Sequence, residues 1–162
     1  MRRLLVTTVL LVLALSGCGE DGAAPRAVAR SATRAQVRAA GLLRAWDERR
    51  SRAWAEGSRT ALRALYLPGS QTADADVAML ERWRARGLRV RGLTSQLLDV
   101  RVLGEGGRTL RLRVKDRVVR AKASPEGSAG PGVPLPRDRP STYVIEMVRY
   151  DGRWLVREAT AG

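Results

Sequence analysis

Few side chains in this sequence are equipped for chemistry, and their spacing narrows the options further. There is no histidine and only one cysteine, Cys18. That excludes a Ser-His-Asp triad and any histidine general acid or base. It leaves a single thiol and no Cys/His set for zinc, so no metal and no cofactor are expected. Gly104-Glu105-Gly106-Gly107 lacks the spacing and the lysine of a phosphate loop and reads as a hairpin turn. Among the acids, Asp116 stands apart. It shares alternate-residue parity with Leu110, Leu112 and Val114, and Val118 follows on the same side. An extended strand would therefore turn it inward among apolar side chains. Desolvation there raises a carboxyl pKa toward the range of a general base. A structural ion pair to an arginine, or a bulge that turns Asp116 outward, fits the same pattern. Glu146 shares parity with Val144 and Val148 and carries the same ambiguity. Trp46, Trp54 and Trp83 are the large side chains available to line or fill an interior pocket.

The second chemical resource is positive charge. Thirty basic residues stand against 16 acidic ones, for a formal charge of +14, and every basic residue except Lys115 and Lys122 is arginine. A GC-rich codon bias accounts for arginine over lysine but not for the excess of base over acid. Two groupings are ordered. Arg26, Arg30, Arg34 and Arg38 recur every four residues and make one basic stripe on a helix. Arg111, Arg113, Lys115 and Arg117 alternate along a strand, each about 7 Å from the next, and repel unless acids or an external anion compensate. Asp99 and Glu105 are the nearby candidates. Both groupings read either as solvated faces or as contacts for an anionic surface.

The elements that must position these residues follow from periodicity. Gly19 to Ala24 reads as a flexible tether, and Pro25 suits the first turn of a helix. Leu42, Leu43, Trp46, Arg50, Ala53 and Trp54 share a helical face, with Asp47, Glu48 and Arg49 on the other side. Gly57 stops that helix and Ser58 caps a short one bearing Leu62, Leu65 and Tyr66. Leu67-Pro68-Gly69-Ser70 breaks it. Thr72 or Asp74 then caps a third, with Val77, Leu80 and Trp83 on one face and Gly87 at its end. Beyond Gly87 the period becomes 2. Leu98, Val100 and Val102 form one strand face, and Leu110, Leu112 and Val114 the next. Ser124 to Pro140, rich in proline and glycine, reads as a mobile loop that carries no core. Tyr143 to Tyr150 and Trp154 to Glu158 are strands joined by an Asp151-Gly152 hairpin turn. The predicted class is α+β: three N-terminal helices packed on an antiparallel four-stranded sheet.

Two resemblances add to this. Arg2-Arg3, the apolar run Leu4 to Leu15 and the junction Leu15-Ser16-Gly17-Cys18 resemble a bacterial lipoprotein signal with its lipobox. The run is too short for a membrane-spanning helix, which needs about 20 residues. The resemblance implies cleavage before Cys18 and diacylglycerol on its thiol. Residues 1–17 would then be the signal, 18–33 a lipid-anchored tether and 34–162 the domain. The expected location is the extracytoplasmic face of the cell membrane, with the bilayer as partner through the anchor. Nucleic acid is not expected there, whereas an anionic envelope polymer or a membrane protein complex is. The segments Leu42-Leu43-Arg44-Ala45-Trp46-Asp47, Ala53-Trp54-Ala55-Glu56-Gly57-Ser58 and Ala61-Leu62-Arg63-Ala64-Leu65-Tyr66, with the closing Asp151-Gly152-Arg153-Trp154-Leu155-Val156, resemble the NTF2-like superfamily. That resemblance implies a curved sheet around a cone-shaped pocket. Its members include isomerases, cyclases and non-catalytic envelope or transport-associated accessory domains. Enzymatic members commonly use a His or an Asp inside the cone, and this chain has no His. The expected role is a non-catalytic binding or scaffolding module at the envelope. The alternatives are a carrier of a lipid or other apolar molecule in the cone, and an enzyme using Asp116 as base.

Overall fold

The computed structural model describes the backbone of residues 24–162 and the side chains from residue 33 onward. Cys18 and the apolar run before it lie outside the described residues, as do the side chains of Arg26 and Arg30. Among the described residues, no helix is long and apolar enough to cross a membrane.

Helix α1 (Ala24–Glu56) carries Pro25 in its first turn, where a missing N–H costs nothing. Its inward stripe buries Ala39, Leu43, Ala53 and Trp54. Gly57 ends it at φ 64°, a left-handed conformation that a side chain would strain. Ser58 accepts a hydrogen bond from the Ala61 N–H at 3.1 Å and starts α2 (Arg59–Arg63). The link that follows is tied to the last strand, with Tyr66 bridging to Val156. The cap of α3 (Gln71–Arg84) is Ser70, which accepts from the Ala73 N–H at 3.2 Å. Thr72 and Asp74, the expected caps, lie inside the first turn.

The sheet contains β1 (Leu88–Glu105), β2 (Thr109–Pro125), β3 (Val133–Pro134), β4 (Ser141–Tyr150) and β5 (Arg153–Ala161). The order is β1-β2-β4-β5, all antiparallel, with β3 also on β2. It has five strands where the sequence led us to expect four. The reason lies in β2, which runs on after its pairing with β4 ends at Asp116 opposite Ser141. An unpaired edge there would leave backbone groups without partners. The proline-rich segment returns along that edge instead. Val133 and Pro134 pair with Ala123 and Lys122, Leu135 N–H donates to Ala121 O at 2.9 Å, and Asp138 N–H to Val118 O at 3.1 Å. Leu135 packs against the core, so this segment is not the coreless loop the sequence suggested.

Four register shifts bend β1 so that it wraps α1. The shift between Leu97 and Asp99 turns Leu98 out, 42% exposed, rather than inward with Val100 and Val102. On β2 the alternation holds: Leu110, Leu112 and Val114 are buried, and Arg111, Arg113 and Lys115 are exposed. Asp151 and Gly152 both take positive φ (46° and 75°), as a two-residue hairpin turn requires. Leu62, Leu80, Leu112, Val114, Met147 and Val156 are the largest fully buried side chains, where helices meet the inner sheet face.

Candidate functional site

The interior between the helices and the sheet is organised by one carboxylate that sequence reasoning passed over, Asp76 on α3. It is buried, and its two oxygens take four hydrogen bonds. Arg50 donates to it through Nε at 2.7 Å and Nη2 at 2.5 Å, Tyr66 Oη at 2.7 Å and Trp54 Nε1 at 3.2 Å. The Arg50 guanidinium also lies 5.7 Å from the centre of the Trp54 ring. Trp46 meets Tyr66 edge-on at 5.5 Å and donates its indole N–H to Leu65 O at 3.0 Å. Helical spacing puts Trp46, Arg50 and Trp54 on one face of α1, and α3 brings Asp76 against it. Burial works against the Arg50 charge, but the hydrogen bonds and charge of Asp76 outweigh it and raise the Arg50 pKa. Burial, then the Asp76 charge, pushes the Tyr66 hydroxyl up as well, so it stays protonated and donates. The network is a mutually satisfied set of buried groups. The only available signal was an arginine on the apolar face of α1, which required a buried acid somewhere.

Asp116 points inward as its parity predicts and is half-buried opposite Leu97. Burial raises its pKa, the charges of Asp47 and Asp138 add to the rise, and Arg50 opposes it. Asp47 belongs to the same region, on the side of α1 away from its apolar stripe. The bent β1 passes over that side and brings Ser95 to it. Burial raises the Asp47 pKa, and a hydrogen bond with Ser95 and the charge of Arg50 oppose that. Asp47 and Ser95 line a groove of about 490 Å³ between α1 and β1, flanked by Arg44 and Arg52. Among the described residues, no group of three or more Asp and Glu is arranged to hold a metal.

The remaining candidates part company. Glu146 is on the outer sheet face, opposite Arg111 and 3.7 Å from its Nε, while its neighbours Ile145 and Met147 pack on the core; it lines a groove of about 460 Å³ with Arg111 and Arg157, away from Asp116. Of the three tryptophans, Trp54 is buried, Trp46 half-buried within the network, and Trp83 half-buried at the end of α3 with Arg86 5.6 Å from its ring centre. Trp54 lies in the hydrophobic core, and Trp46 and Trp83 pack against it. Arg34 is exposed, and Arg38 forms an ion pair with Glu105 that ties α1 to the far end of β1. Arg117 is half-buried and donates to Gln96, so it does not continue the exposed row of Arg111, Arg113 and Lys115. The compensators expected for that row are taken: Asp99 pairs with Arg101 at 3.0 Å, and Glu105 with Arg38. Arg101 sits directly across from Arg113.

A separate cleft of about 590 Å³ opens between α2, α3 and the β4–β5 hairpin, and neither Asp76 nor Asp116 lines it. Nearby, Glu158 on β5 reaches the start of α3. It accepts from Gln71 N–H at 2.7 Å, Thr72 N–H at 3.1 Å and the Thr72 hydroxyl at 2.7 Å, while Thr72 Oγ1 accepts from Ala159 N–H at 2.8 Å. These bonds hold the Glu158 pKa below the usual carboxylate range.

No family model matches the sequence, and no curated protein matches it either. Solved structures do. A protein from Catenulispora acidiphila matches at 14% identity and a TM-score of 0.52, covering 79% of this chain and 93% of its own. Aln2 from a Streptomyces species matches at 15% identity and 0.52, covering 76% and 88%. An NTF2-like protein with a cystatin-like fold from Novosphingobium aromaticivorans aligns over 87% of this chain and 89% of its own, at 17% identity and 0.45. At these identities the likeness is one of fold, and a fold hosts many functions. The chain is an α+β domain, an antiparallel sheet bent around three helices, and it shares its fold with the Catenulispora and Streptomyces proteins.

Proposed function

We propose that this is a lipoprotein anchored to the extracytoplasmic face of the cell membrane through Cys18, and that its domain is a non-catalytic binding or scaffolding module at the envelope. The observation that supports the non-catalytic reading is the saturation of Asp76, the buried acid among the described residues, which leaves the half-buried Asp47 and Asp116 as the candidates to be tested. A general base needs a free lone pair aimed at space a substrate can enter. Asp76 spends its oxygens on Arg50, Tyr66 and Trp54 instead. The exposed Arg113 and Lys115 of β2 support a surface role: Asp99 and Glu105 are paired with Arg101 and Arg38, and Glu146 with Arg111. An anionic envelope polymer or the acidic face of a membrane protein complex suits them.

The test is complementation of a strain that lacks the protein. Asp47→Asn and Asp116→Asn remove the two desolvated carboxyls that could act as base. The binding-module reading expects each variant to restore the wild-type phenotype in full. A folded variant of either kind that fails to complement would favour an enzyme. A second reading, the carrier, is favoured by the cleft beside the β4–β5 hairpin, whose apolar residues Leu67, Val77 and Leu155 face space.

A further inference from the structure

The cleft between α2, α3 and the β4–β5 hairpin has the construction of a site for a molecule with one anionic head and one apolar chain. Its volume of about 590 Å³ falls in the range of small-molecule pockets. Leu67, Val77 and Leu155 supply apolar wall, and its lining includes Arg59, Arg63 and Arg153 with no acid. Two of these arginines are engaged: Arg59 lies 3.6 Å from Glu81, and Arg63 lies 2.9 Å from Asp74. Arg153 forms no ion pair among the described residues. It starts β5 beside the tight Asp151-Gly152 turn, directly across from the half-exposed ring of Tyr150. Strand parity places Arg153 and Leu155 on one side of β5, so a cation and an apolar surface stand in line along one wall.

The wall also limits what binds. A peptide strand needs open backbone groups to pair with. Here Leu67 N–H donates to Val156 O at 2.8 Å and Val156 N–H to Leu65 O at 3.1 Å, which closes that edge. Apolar contact and charge are what remain. We propose that this cleft binds a fatty acid, with its carboxylate on Arg153 and its chain along Leu67, Val77 and Leu155. The inference rests on the binding-module reading only in that the ligand is held unreacted.

The experiment uses the full chain carrying Cys18→Ala, so that no attached lipid competes and failure of the anchor reading does not affect the outcome. Calorimetric titration with laurate below its micellar concentration should give saturable binding at one site. Dodecyl maltoside, with the same chain and a neutral head, should bind about tenfold more weakly, and acetate not at all. Arg153→Gln should weaken laurate about tenfold and leave dodecyl maltoside unchanged. Ala64→Trp, which fills the cleft from its exposed wall, should abolish both, with thermal melts confirming that each variant is folded. Absence of laurate binding would overturn the proposal, as would equal binding of the neutral detergent or indifference to both substitutions. Binding of an acidic peptide in place of laurate would reassign the cleft to a protein partner and overturn it equally.

Discussion

Replacing Asp76 tests whether the interior network is what locks α1 to α3. The Asp76 side chain is 8% exposed and that of Arg50 22%. Removing one partner of a buried ion pair costs about 3–5 kcal/mol, because the other charge stays behind. Residual exposure lets water recover part of that for Arg50. In Asp76→Asn one side-chain oxygen still accepts, so we expect a loss of about 2–3 kcal/mol. Asp76→Ala also strands the Tyr66 hydroxyl and the Trp54 N–H, at about 1 kcal/mol or more each, for a total of about 4–5 kcal/mol. Domains of this kind have about 5–15 kcal/mol to lose, so the Ala variant should be close to unfolding. The assay is urea denaturation, read as a shift in midpoint at constant slope. A double-mutant cycle with Arg50→Met should give a coupling of about 2 kcal/mol between the two sites. An Asn variant within about 0.5 kcal/mol of wild type, or a coupling that small, would refute the reasoning.

Three further outcomes follow from the same structure. Glu158 has a lowered pKa, so its contribution is present above its unfolded value of about 4.3 and is lost as pH falls through the lower folded value. Glu158→Gln should cost about 0.5–1 kcal/mol at pH 7, with the difference closing in acid, as pH-dependent urea melts would measure. Asp116 shifts the other way: its folded pKa is raised above the unfolded value, so the ionised group costs stability at neutral pH and the cost fades as pH falls toward about 3.9. Asp116→Asn should therefore raise the urea midpoint at pH 7 and leave it unchanged near pH 3, and a lowered midpoint at pH 7 would contradict the assignment. Leu135→Ala, in the proline-rich segment, should cost about 1–2 kcal/mol by thermal melting, since the side chain is half-buried on the core; no change would return that segment to a coreless loop.

What the sequence made legible is what short-range periodicity encodes. The apolar stripe of α1, the inward row Leu110, Leu112 and Val114, the turn at Asp151-Gly152 and the inward parity of Asp116 all depend on neighbours within a few residues. Asp76 was illegible because its partner Arg50 lies 26 residues away and only the packing of two helices joins them. The burial of Asp47 was illegible because nothing in the helical period of α1 shows that β1 bends across its polar side. The register shift that turns Leu98 outward is likewise a long-range choice, fixed by how β1 pairs with β2. The third strand was hidden by its own composition: proline argues against a central strand, but an edge that needs covering accepts it.

The central claim, a binding module held at the membrane by Cys18, is tested most directly at its anchor. Cells expressing the wild-type chain or Cys18→Ala would be grown with an alkyne-bearing fatty acid, and the purified protein assayed for label and for the mass of its N-terminal peptide. The wild-type protein should be labelled and begin at a diacylglyceryl-modified Cys18, and the variant should be unlabelled and retain its leader. Equal labelling of the two, or a wild-type protein that carries no lipid, would contradict the claim.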